Sequence, residues 1–391
     1  MTSEDIEHEV GATAANWRTA PFSRWAFHHI RELLPVAEIG PAAAGDVAPL
    51  ADAPLPFDGF SLKLPDGSAL DLDGFLAATA SDALVVMHEG RIVHEAYANG
   101  TTATTPHIFM SVTKAMVGLI AGILQRDGAI DLDAPASDYV PEIAASGYRG
   151  ATLRQLIDMR AAVKLDGPQE HDYAALVGKA PADETGPSLH DLLPTLTAPA
   201  GATHGGPFSY ISANTDLAGW AMERAAGRPF ASLVSELLWK PMGAEHEAYV
   251  VVDREGSPWC AGGFCATARD FARVGELVLN DGRRGDNDIV PKAWIDDLTQ
   301  GGDREAWRTG EWGQTFAFIS TDMSYRAGWY SVHSDPKLLF AMGVHGQNLF
   351  IDRSNKVVVA KLSSQPNRID ARAIWLTHMA VPEFTRLALG G

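Results

Sequence analysis

The sequence of 391 residues lacks several features that would place it in common classes of protein. Its only cysteines are Cys260 and Cys265, whose spacing matches neither a C-x-x-C pair nor a zinc site. No apolar run reaches the roughly 18 residues needed to cross a bilayer, and the acidic N-terminus has no signal-peptide core. These absences favour a globular protein with reduced thiols, and we expect it in the cytoplasm.

Basic residues are also scarce. The chain has 31 lysines and arginines against 49 aspartates and glutamates, which gives a formal net charge of −18. This balance argues against nucleic acid or an anionic membrane as a partner. Hydrophobic residues make up 46% of the chain and charged residues 20%, which is typical of a globular protein with a large core.

Several motifs of common enzymes are missing. There is no G-x-S-x-G, H-E-x-x-H, phosphate-binding loop or G-x-G-x-x-G. The 13 histidines form no cluster with the spacing of metal ligands. We therefore predict chemistry that needs neither a metal nor a cofactor.

The sequence does contain Ser111-Val112-Thr113-Lys114, followed by an apolar run over residues 115–124. On a helix, an i, i+3 spacing brings the serine hydroxyl and the lysine amine to one face. An all-apolar helix belongs in the protein interior, where lost hydration favours a neutral, basic lysine that can activate the serine. A second S-x-x-K begins at Ser334, but its Asp-Pro pair disfavours a helix.

A serine–lysine pair needs a third group that passes a proton to the leaving group. A tyrosine near two cations suits this role, because nearby positive charge favours tyrosinate. Tyr97 begins a literal Y-x-N, but it ends a strand-like run and is predicted to lie at a turn. Tyr210 follows a glycine-rich loop and precedes a helix. It is either that proton carrier or a buried aromatic beneath the loop.

The order of predicted elements is strands, then helices, then strands. It indicates an α/β (α+β) fold in which both ends of the chain form an antiparallel sheet flanked by helices around an inserted, mostly helical domain. The predicted domains are residues 1–105, 106–249 and 250–391. The predicted elements include a hairpin of strands 83–88 and 91–97, strands 316–319, 325–330, 338–342, 348–351 and 357–362, a helix over 267–279, a surface loop over 181–207 and a closing helix over 382–389.

Four segments together resemble the serine β-lactamase and DD-peptidase superfamily, in its class C-like branch. They are residues 109–114, 128–142, 152–156 and 261–270. Within that branch the chain resembles the 6-aminohexanoate-dimer hydrolases, the nylon-oligomer hydrolases. The shared segments are residues 24–27, 212–216, 345–349 and 361–364. This resemblance covers the whole chain in order.

The resemblance implies a role for each matching residue. Ser111 is expected to be the nucleophile, Lys114 its base and Tyr210 the proton carrier to the leaving group. Val344 follows the glycine that matches the family's K-T-G strand. Its backbone N–H is expected to form an oxyanion hole with that of Ser111.

Three further residues are expected near the substrate. Tyr173 matches a tyrosine that closes over substrate in the nylon-oligomer enzymes, and Ser212 stands where β-lactamases have asparagine. His345 is either a helper beside the sheet or a hydrogen-bonded strand residue. Residues 341–343 carry no cation where β-lactamases have lysine, which predicts weaker binding of substrates with a carboxylate at that place.

We therefore expect a serine hydrolase that cleaves linear amides and short carboxyl esters through an acyl-enzyme on Ser111. Three alternatives stay open: an acyltransferase that uses the same intermediate, a β-lactamase or DD-peptidase-like penicillin-recognising protein, and a binding module that is acylated once and stops. The resemblance also implies a homodimer, and the expected partner is a small amide or ester substrate.

Overall fold

The computed structural model describes residues 11–178 and 186–391 of the chain. Within these ranges, sheets pack against helices, with a hydrophobic core on each face of the larger sheet. None of the helices in the described ranges has the length and apolar character that crossing a membrane requires.

The larger sheet contains eight strands within the described residues and draws them from both ends of the chain. All neighbouring pairs are antiparallel except Ala51–Asp52, which runs parallel to the strand beside it. The expected antiparallel sheet is confirmed, whereas the domain boundaries after residues 105 and 249 stay a prediction. In sheet order the strands are Met323–Arg326, Trp329–Val332, Leu338–Gly343, Gln347–Asp352, Val357–Ser363, Ser81–His88, Arg91–Tyr97 and Ala51–Asp52.

The predicted hairpin near residue 90 is confirmed. Its strands, Ser81–His88 and Arg91–Tyr97, pair antiparallel and are joined by Glu89 and Gly90. Both turn residues have positive φ, 48° and 77°, which is the backbone of a turn that follows the twist of the flanking strands. The first strand is buried along most of its length because it lies near the middle of the sheet.

Two predicted strands are wrong in detail. Residues 316–319 form turns that follow the short helix Glu311–Thr315, and their aromatic side chains pack without strand pairing. The run over 325–330 is a hairpin of two strands around Ala327 and Gly328. Gly328 has φ 90°, and a Cβ there would lie 2.3 Å from the Lys114 carbonyl carbon. The hairpin turn therefore packs directly against the helix that carries Lys114.

A smaller sheet of four antiparallel strands lies beside the large one. Its strands come from distant segments of the chain, in the order Val36–Ile39, Ala248–Val251, Phe264–Thr267 and Pro106–Ile108. The last strand runs into the Ser111 segment, so this sheet fixes where the segment begins. Two minor two-stranded pairs complete the strands of the described residues: Leu62–Lys63 with Ala69–Leu70, and Arg283–Arg284 with Asn287–Asp288.

The apolar helix predicted after Ser111 spans Thr113–Arg126. Every residue from Thr113 to Leu124 is buried, so the helix runs through the middle of the protein as its composition predicts. The other helices of the described residues are Ser23–Ala26, Ile30–Leu33, Leu72–Ala78, Leu153–Ile157, Gly167–Leu176, Leu189–Leu192, Ser212–Ala226, Phe230–Val234, Ala268–Leu279, Lys292–Gln300, Arg304–Thr309, Glu311–Thr315 and Ala371–Ala388.

The last helix is longer than its sequence predicts. It spans Ala371–Ala388 and contains Pro382, where the predicted helix begins. The Asp370 side chain accepts a hydrogen bond from Ala373 N at 2.9 Å and caps the true start. Phe384 packs against Phe60 and Phe75 in a hydrophobic cluster that also includes one face of the large sheet. Such tertiary packing overcomes the local preference of proline to end a helix.

The prediction of a surface loop over residues 181–207 is also wrong for some of these residues. Residues 179–185 lie outside the described residues, but Leu189–Leu192 is a helix and Leu193–Thr195 is a 3₁₀ turn. Ser188 caps this helix in a reciprocal capping box, and the leucines that follow are buried in the core. Capping and burial therefore order a stretch of this segment, although its prolines and glycines predict a loop.

We expect Lys361 to make the stability of the protein depend on pH. It is fully buried on the central strand, and burial lowers the pKa of its amine to about 7, although the charge of Asp82 opposes this shift. Its Nζ donates to Ser363 Oγ at 2.5 Å. A lysine in the unfolded chain titrates near 10.4. Between pH 7 and about 10.4 the unfolded state therefore binds more protons than the folded state, and the free energy of unfolding increases as the pH rises.

We therefore expect the free energy of unfolding of Lys361→Met to change less with pH than that of the wild type. Urea unfolding of both proteins at pH 7.5, 8.5 and 9.5 measures this. The free energy of unfolding of the wild type should increase relative to that of the variant by roughly 1 kcal/mol per pH unit. Lys63→Met, which removes an exposed lysine, should show no such pH-dependent difference. A constant difference between wild type and Lys361→Met would mean that Lys361 stays protonated in the fold.

Candidate active site

Ser111 and Lys114 are in direct contact. Ser111 lies in a single 3₁₀ turn, Met110–Val112, and Lys114 lies in the first turn of the helix that follows. Lys114 Nζ donates to Ser111 Oγ at 3.2 Å. The i, i+3 contact thus forms as the spacing predicts, although Ser111 stands just before the α-helix instead of within its first turn.

The backbone at the nucleophile is strained. Met110 has φ 49°, a left-handed conformation that is uncommon for a residue with a long side chain. Gly343 lies close to this strained backbone. A Cβ on Gly343 would lie 2.6 Å from Phe109 O and 3.0 Å from Ser111 N. Only glycine permits this approach, which explains why the strand retains the family's glycine. The end of the strand is thereby held against the backbone of Ser111.

Lys114 is held from several sides. Only 3% of the residue is exposed, and its Nζ also donates to Ala261 O at 2.6 Å. The Ala261 N–H in turn donates to Asp216 Oδ1 at 2.8 Å. Asp216 therefore holds Ala261, the residue whose carbonyl oxygen contacts the lysine.

Tyr210 faces the same pair. Lys114 Nζ lies 4.8 Å from the centroid of the Tyr210 ring, and the ring stacks on Trp312 at 4.1 Å. The Tyr210 N–H donates to Glu311 Oε1 at 2.7 Å, which fixes the backbone. The loop tyrosine singled out in the sequence is thus brought to the serine and lysine.

The protonation state of Tyr210 differs from the sequence expectation. Burial raises the pKa of its hydroxyl well above its ordinary value, and the weaker opposing effects of a hydrogen bond with Ser111 and the charge of Arg368 do not cancel this shift. The phenol is therefore protonated near neutral pH, whereas nearby positive charge alone predicted tyrosinate. A protonated phenol is ready to give a proton to a leaving group.

A pocket of about 130 Å³ opens at Ser111. Val344 lines it beside Gly343 and Ser111. Ser212 lines it as well. The remaining wall residues are Arg18, Met110, Tyr210, Trp259, Ala261, Trp312, Phe316, Tyr330, Met342, Gly346, Asn348, Gln365, Arg368, Ile369, Ile374 and Thr377.

Two of the residues expected at the substrate do not line this pocket. Tyr173 is buried, and its hydroxyl donates to Asp216 Oδ2 at 2.6 Å. Its expected place over the substrate is not seen in this structure. His345 is 1% exposed and its Nδ1 lies 2.7 Å from Gln365 O. Because a carbonyl can only accept, Nδ1 carries the proton, and His345 is a hydrogen-bonded residue at a strand end.

The sequence reasoning missed the cations of this pocket. Residues 341–343 carry no cation, as read from the sequence, but Arg18 and Arg368 line the pocket from other segments. The penalty predicted for a carboxylate beside residues 341–343 stays a prediction, since these arginines reach the pocket from other segments. No local motif marks either arginine, since they are 350 residues apart and meet only in the folded chain.

The rival motifs of the sequence lie elsewhere. Tyr97 donates to Glu95 Oε2 at 2.8 Å and does not line the pocket. Ser334, in the second S-x-x-K, contacts Ser320 Oγ at 3.1 Å in an exposed turn. Across residues 11–178 and 186–391, no group of three or more side chains is arranged to hold a metal ion.

This fold and this site define a class of protein, the serine hydrolases with a β-lactamase-like architecture. The beta-lactamase family model matches residues 72–381, and the chain belongs to that family. Within it, the chain is similar to the 6-aminohexanoate-dimer hydrolase of Paenarthrobacter ureafaciens. The two are 34% identical over 363 residues, which cover 91% of this chain and 88% of the relative.

Solved structures agree with this placement. A Bacillus anthracis protein provisionally assigned as a 6-aminohexanoate-dimer hydrolase superposes with a TM-score of 0.87 at 28% identity, covering 97% of this chain and 98% of its own. A D-stereospecific amidohydrolase from Streptomyces superposes with a TM-score of 0.58 at 16% identity, covering 76% and 94%. The second likeness shows the shared fold alone.

Proposed function

We propose that this chain hydrolyses linear amides and short-chain carboxyl esters through an acyl-enzyme on Ser111. The observation that carries the proposal is the 3.2 Å contact between Lys114 Nζ and Ser111 Oγ in a pocket open to a small substrate. A serine hydroxyl beside a lysine amine can transfer its proton as the oxygen attacks a carbonyl carbon.

In the first step, Ser111 Oγ would bond to the carbonyl carbon while its proton passes to Lys114. Negative charge then develops on the carbonyl oxygen. The backbone N–H groups of Ser111 and Val344 are the proposed donors to that oxygen, because Gly343 holds the strand end against Ser111. Fixed donors of this kind stabilise the tetrahedral intermediate without reorganisation.

In the second step, the leaving group would take the proton of the Tyr210 hydroxyl as its bond to carbon breaks. Tyr210 would recover a proton from Lys114, whose Nζ lies 4.8 Å from its ring centroid. Water then attacks the carbonyl carbon of the acyl-serine, the bond from that carbon to Ser111 Oγ breaks, and the acid leaves. One proton of the water passes along the same groups to Ser111 Oγ, which restores the enzyme. The raised pKa of Tyr210 supports this order, since a protonated phenol is the form that can donate.

The proposed substrate class follows from the relative and from leaving-group chemistry. The curated relative is named for the dimer of 6-aminohexanoate, and we propose that its linear amide is a substrate here. Esters should react faster than amides, because an alkoxide or phenoxide departs more easily than an unprotonated amine. The aromatic walls of the pocket suit short carbon chains.

The test is a substrate panel assayed at steady state. We expect the highest kcat/KM for p-nitrophenyl acetate and butyrate, slower release of amine from 6-aminohexanoate linear dimer, and poorer turnover of nitrocefin. Release of acid and alcohol must continue beyond one equivalent of enzyme. Nitrocefin as the best substrate would indicate a β-lactamase. A single burst would indicate a module that stops once acylated, and transfer to an added alcohol in preference to water would indicate an acyltransferase.

A further inference from the structure

Asn348 is a polar residue of the Ser111 pocket that neither the fold nor the proposed chemistry uses. It lies on the strand Gln347–Asp352 and lines the pocket, although only 5% of the residue is exposed. Its side-chain amide has no hydrogen-bond partner among the described residues, and neither its oxygen nor its nitrogen is fully enclosed. Both atoms are therefore open to the space of the pocket.

Two other polar side chains of the pocket wall are bonded within the protein. Gln365 Nε2 donates to Thr79 O at 3.2 Å, and Thr377 Oγ1 donates to Ala373 O at 2.8 Å. Buried polar groups are nearly always paired in this way, because an unpaired group loses the hydrogen bonds that it makes in water. The amide of Asn348 is an exception, and a ligand group bound to it would supply the missing hydrogen bonds.

The strand register places Asn348 near the nucleophile. Gly343 approaches the Ser111 backbone closely, and the residue before it, Met342, pairs directly with Asn348 on the neighbouring strand. One step along a strand is about 3.8 Å between Cα atoms, and one step across an antiparallel pair is about 5 Å. A chain of a few carbons therefore spans the distance from a carbonyl group at Ser111 to the side chain of Asn348.

The chemistry of the asparagine amide selects the ligand group. This side chain offers one acceptor oxygen and two N–H donors. A carboxylate only accepts and would leave the asparagine oxygen unpaired, whereas an ammonium group only donates and would leave the nitrogen unpaired. A primary carboxamide does both on one edge, so it can form two parallel hydrogen bonds with Asn348, one in each direction. The apolar side chain of Met342 on the neighbouring strand also favours a neutral group.

We propose that Asn348 is a specificity-determining residue that binds a primary carboxamide of the substrate. The substrates it favours are esters and amides that place a reacting carbonyl at Ser111 and carry a neutral carboxamide a few carbons away. This inference rests on the proposed hydrolysis at Ser111 and adds the substrate class. The alternative is that water alone solvates the Asn348 amide. In that case the residue would affect carboxamides and alkyl chains alike.

The experiment compares isosteric pairs of esters. In the first pair, p-nitrophenyl 5-carbamoylpentanoate carries the carboxamide on the acyl chain, and p-nitrophenyl 6-methylheptanoate has an isopropyl group of the same shape in its place. In the second pair, 3-carbamoylphenyl acetate carries the carboxamide on the leaving group, and 3-isopropylphenyl acetate does not. The measured quantity is the ratio of kcat/KM for the carboxamide to kcat/KM for the alkyl ester. Asn348→Leu removes the amide at nearly constant volume and should lower this ratio roughly tenfold or more in at least one pair.

Control variants separate recognition from packing. Asn348→Ala removes the same amide and serves if leucine disturbs the strand, and thermal unfolding reports whether each variant is folded. Asn287→Leu makes the same change at an exposed residue of the short strand Asn287–Asp288, outside the pocket, and should leave both ratios at their wild-type values.

Two results would overturn the proposal. The first is a ratio that Asn348→Leu leaves unchanged in both pairs, which includes equal losses on both members of each pair. The second is an equal fall in kcat/KM for mono-p-nitrophenyl adipate, whose carboxylate only accepts hydrogen bonds. That result would mean that Asn348 binds acceptors of any kind instead of a carboxamide.

A binding measurement tests the same subsite without turnover. Hexanamide should bind the wild type, as followed by calorimetry, and Asn348→Leu should weaken this binding roughly tenfold. Binding of hexanoate should not depend on Asn348. Absent binding of hexanamide, or equal binding to both proteins, overturns the subsite even if Ser111 proves to be the nucleophile. Conversely, hexanamide binding that depends on Asn348 in a protein without hydrolysis would uphold the subsite and refute the proposed function.

Discussion

Replacing Ser111 with alanine is expected to lower kcat for p-nitrophenyl butyrate by roughly 10³-fold or more. The covalent route disappears with the hydroxyl, and what remains is binding and the oxyanion donors acting on water. The change removes one oxygen beside a pocket and leaves no cavity in the core. The melting temperature should therefore stay close to that of the wild type.

Chemical labelling identifies the nucleophile independently of kinetics. A serine-reactive phosphonate should add one equivalent to the wild type, and mass spectrometry of peptides should place it on Ser111. Ser334→Ala is the matched control, because Ser334 heads the other S-x-x-K in an exposed turn, and it should keep full activity and full labelling. A label on any other residue would contradict the assignment of the nucleophile.

Lys114→Ala and Tyr210→Phe should each lower kcat by about 10²–10⁴-fold, which is the usual contribution of a positioned acid or base. The double variant should lose far less than the product of the two losses. Both groups are proposed to carry the same proton, and once one link is absent the other has little left to contribute. Steady-state rates of the four proteins on one ester give this comparison.

Two controls make the double-variant test decisive. Tyr97→Phe removes a hydroxyl that bonds Glu95 outside the pocket, so it should leave kcat near the wild-type value. Thermal unfolding of Lys114→Ala reports whether the loss of a buried side chain disturbs the fold. Fully multiplicative losses in folded proteins would mean that Tyr210 acts separately from Lys114, as a packing residue or in another step.

The reacting groups could be predicted because their signals are local. Ser111 and Lys114 meet through helical spacing, which is a property of four consecutive residues. The apolar run after them predicts burial, and the helix is buried from Thr113 to Leu124. Tyr210 needed its loop-to-helix context and the family resemblance, since a lone tyrosine carries no such spacing.

The supporting residues could not be predicted because they act across long sequence separations. Asp216 accepts a hydrogen bond from the Ala261 N–H, 45 residues further along the chain, and the Ala261 carbonyl contacts Lys114. Arg18 and Arg368 come from opposite ends of the sequence and share one pocket. Residue spacing and composition do not predict such long-range contacts, because these contacts depend on how the sheets and helices pack.

The fold shows the same division between local and distant causes. The hairpin at Glu89 and Gly90 follows from alternating apolar strands around a turn whose residues adopt positive φ. Phe316 and its neighbours have the composition of a strand, yet they pack as aromatic side chains of a turn beside Trp312. Pro382 stays inside the last helix because Phe384 and the rest of its buried face pack on the large sheet.

The sequence by itself determined the central helix, the serine–lysine pair and the family, because these depend on short-range spacing and on ordered motifs along one chain. Only the tertiary structure decided that Tyr210 is a protonated phenol, since burial outweighs the nearby positive charge in setting its pKa. It also decided that the pocket has cations, because Arg18 is carried there by packing against Val177 and Met110. Electrostatics at the site depend on distance and burial in three dimensions, and a linear pattern fixes neither quantity.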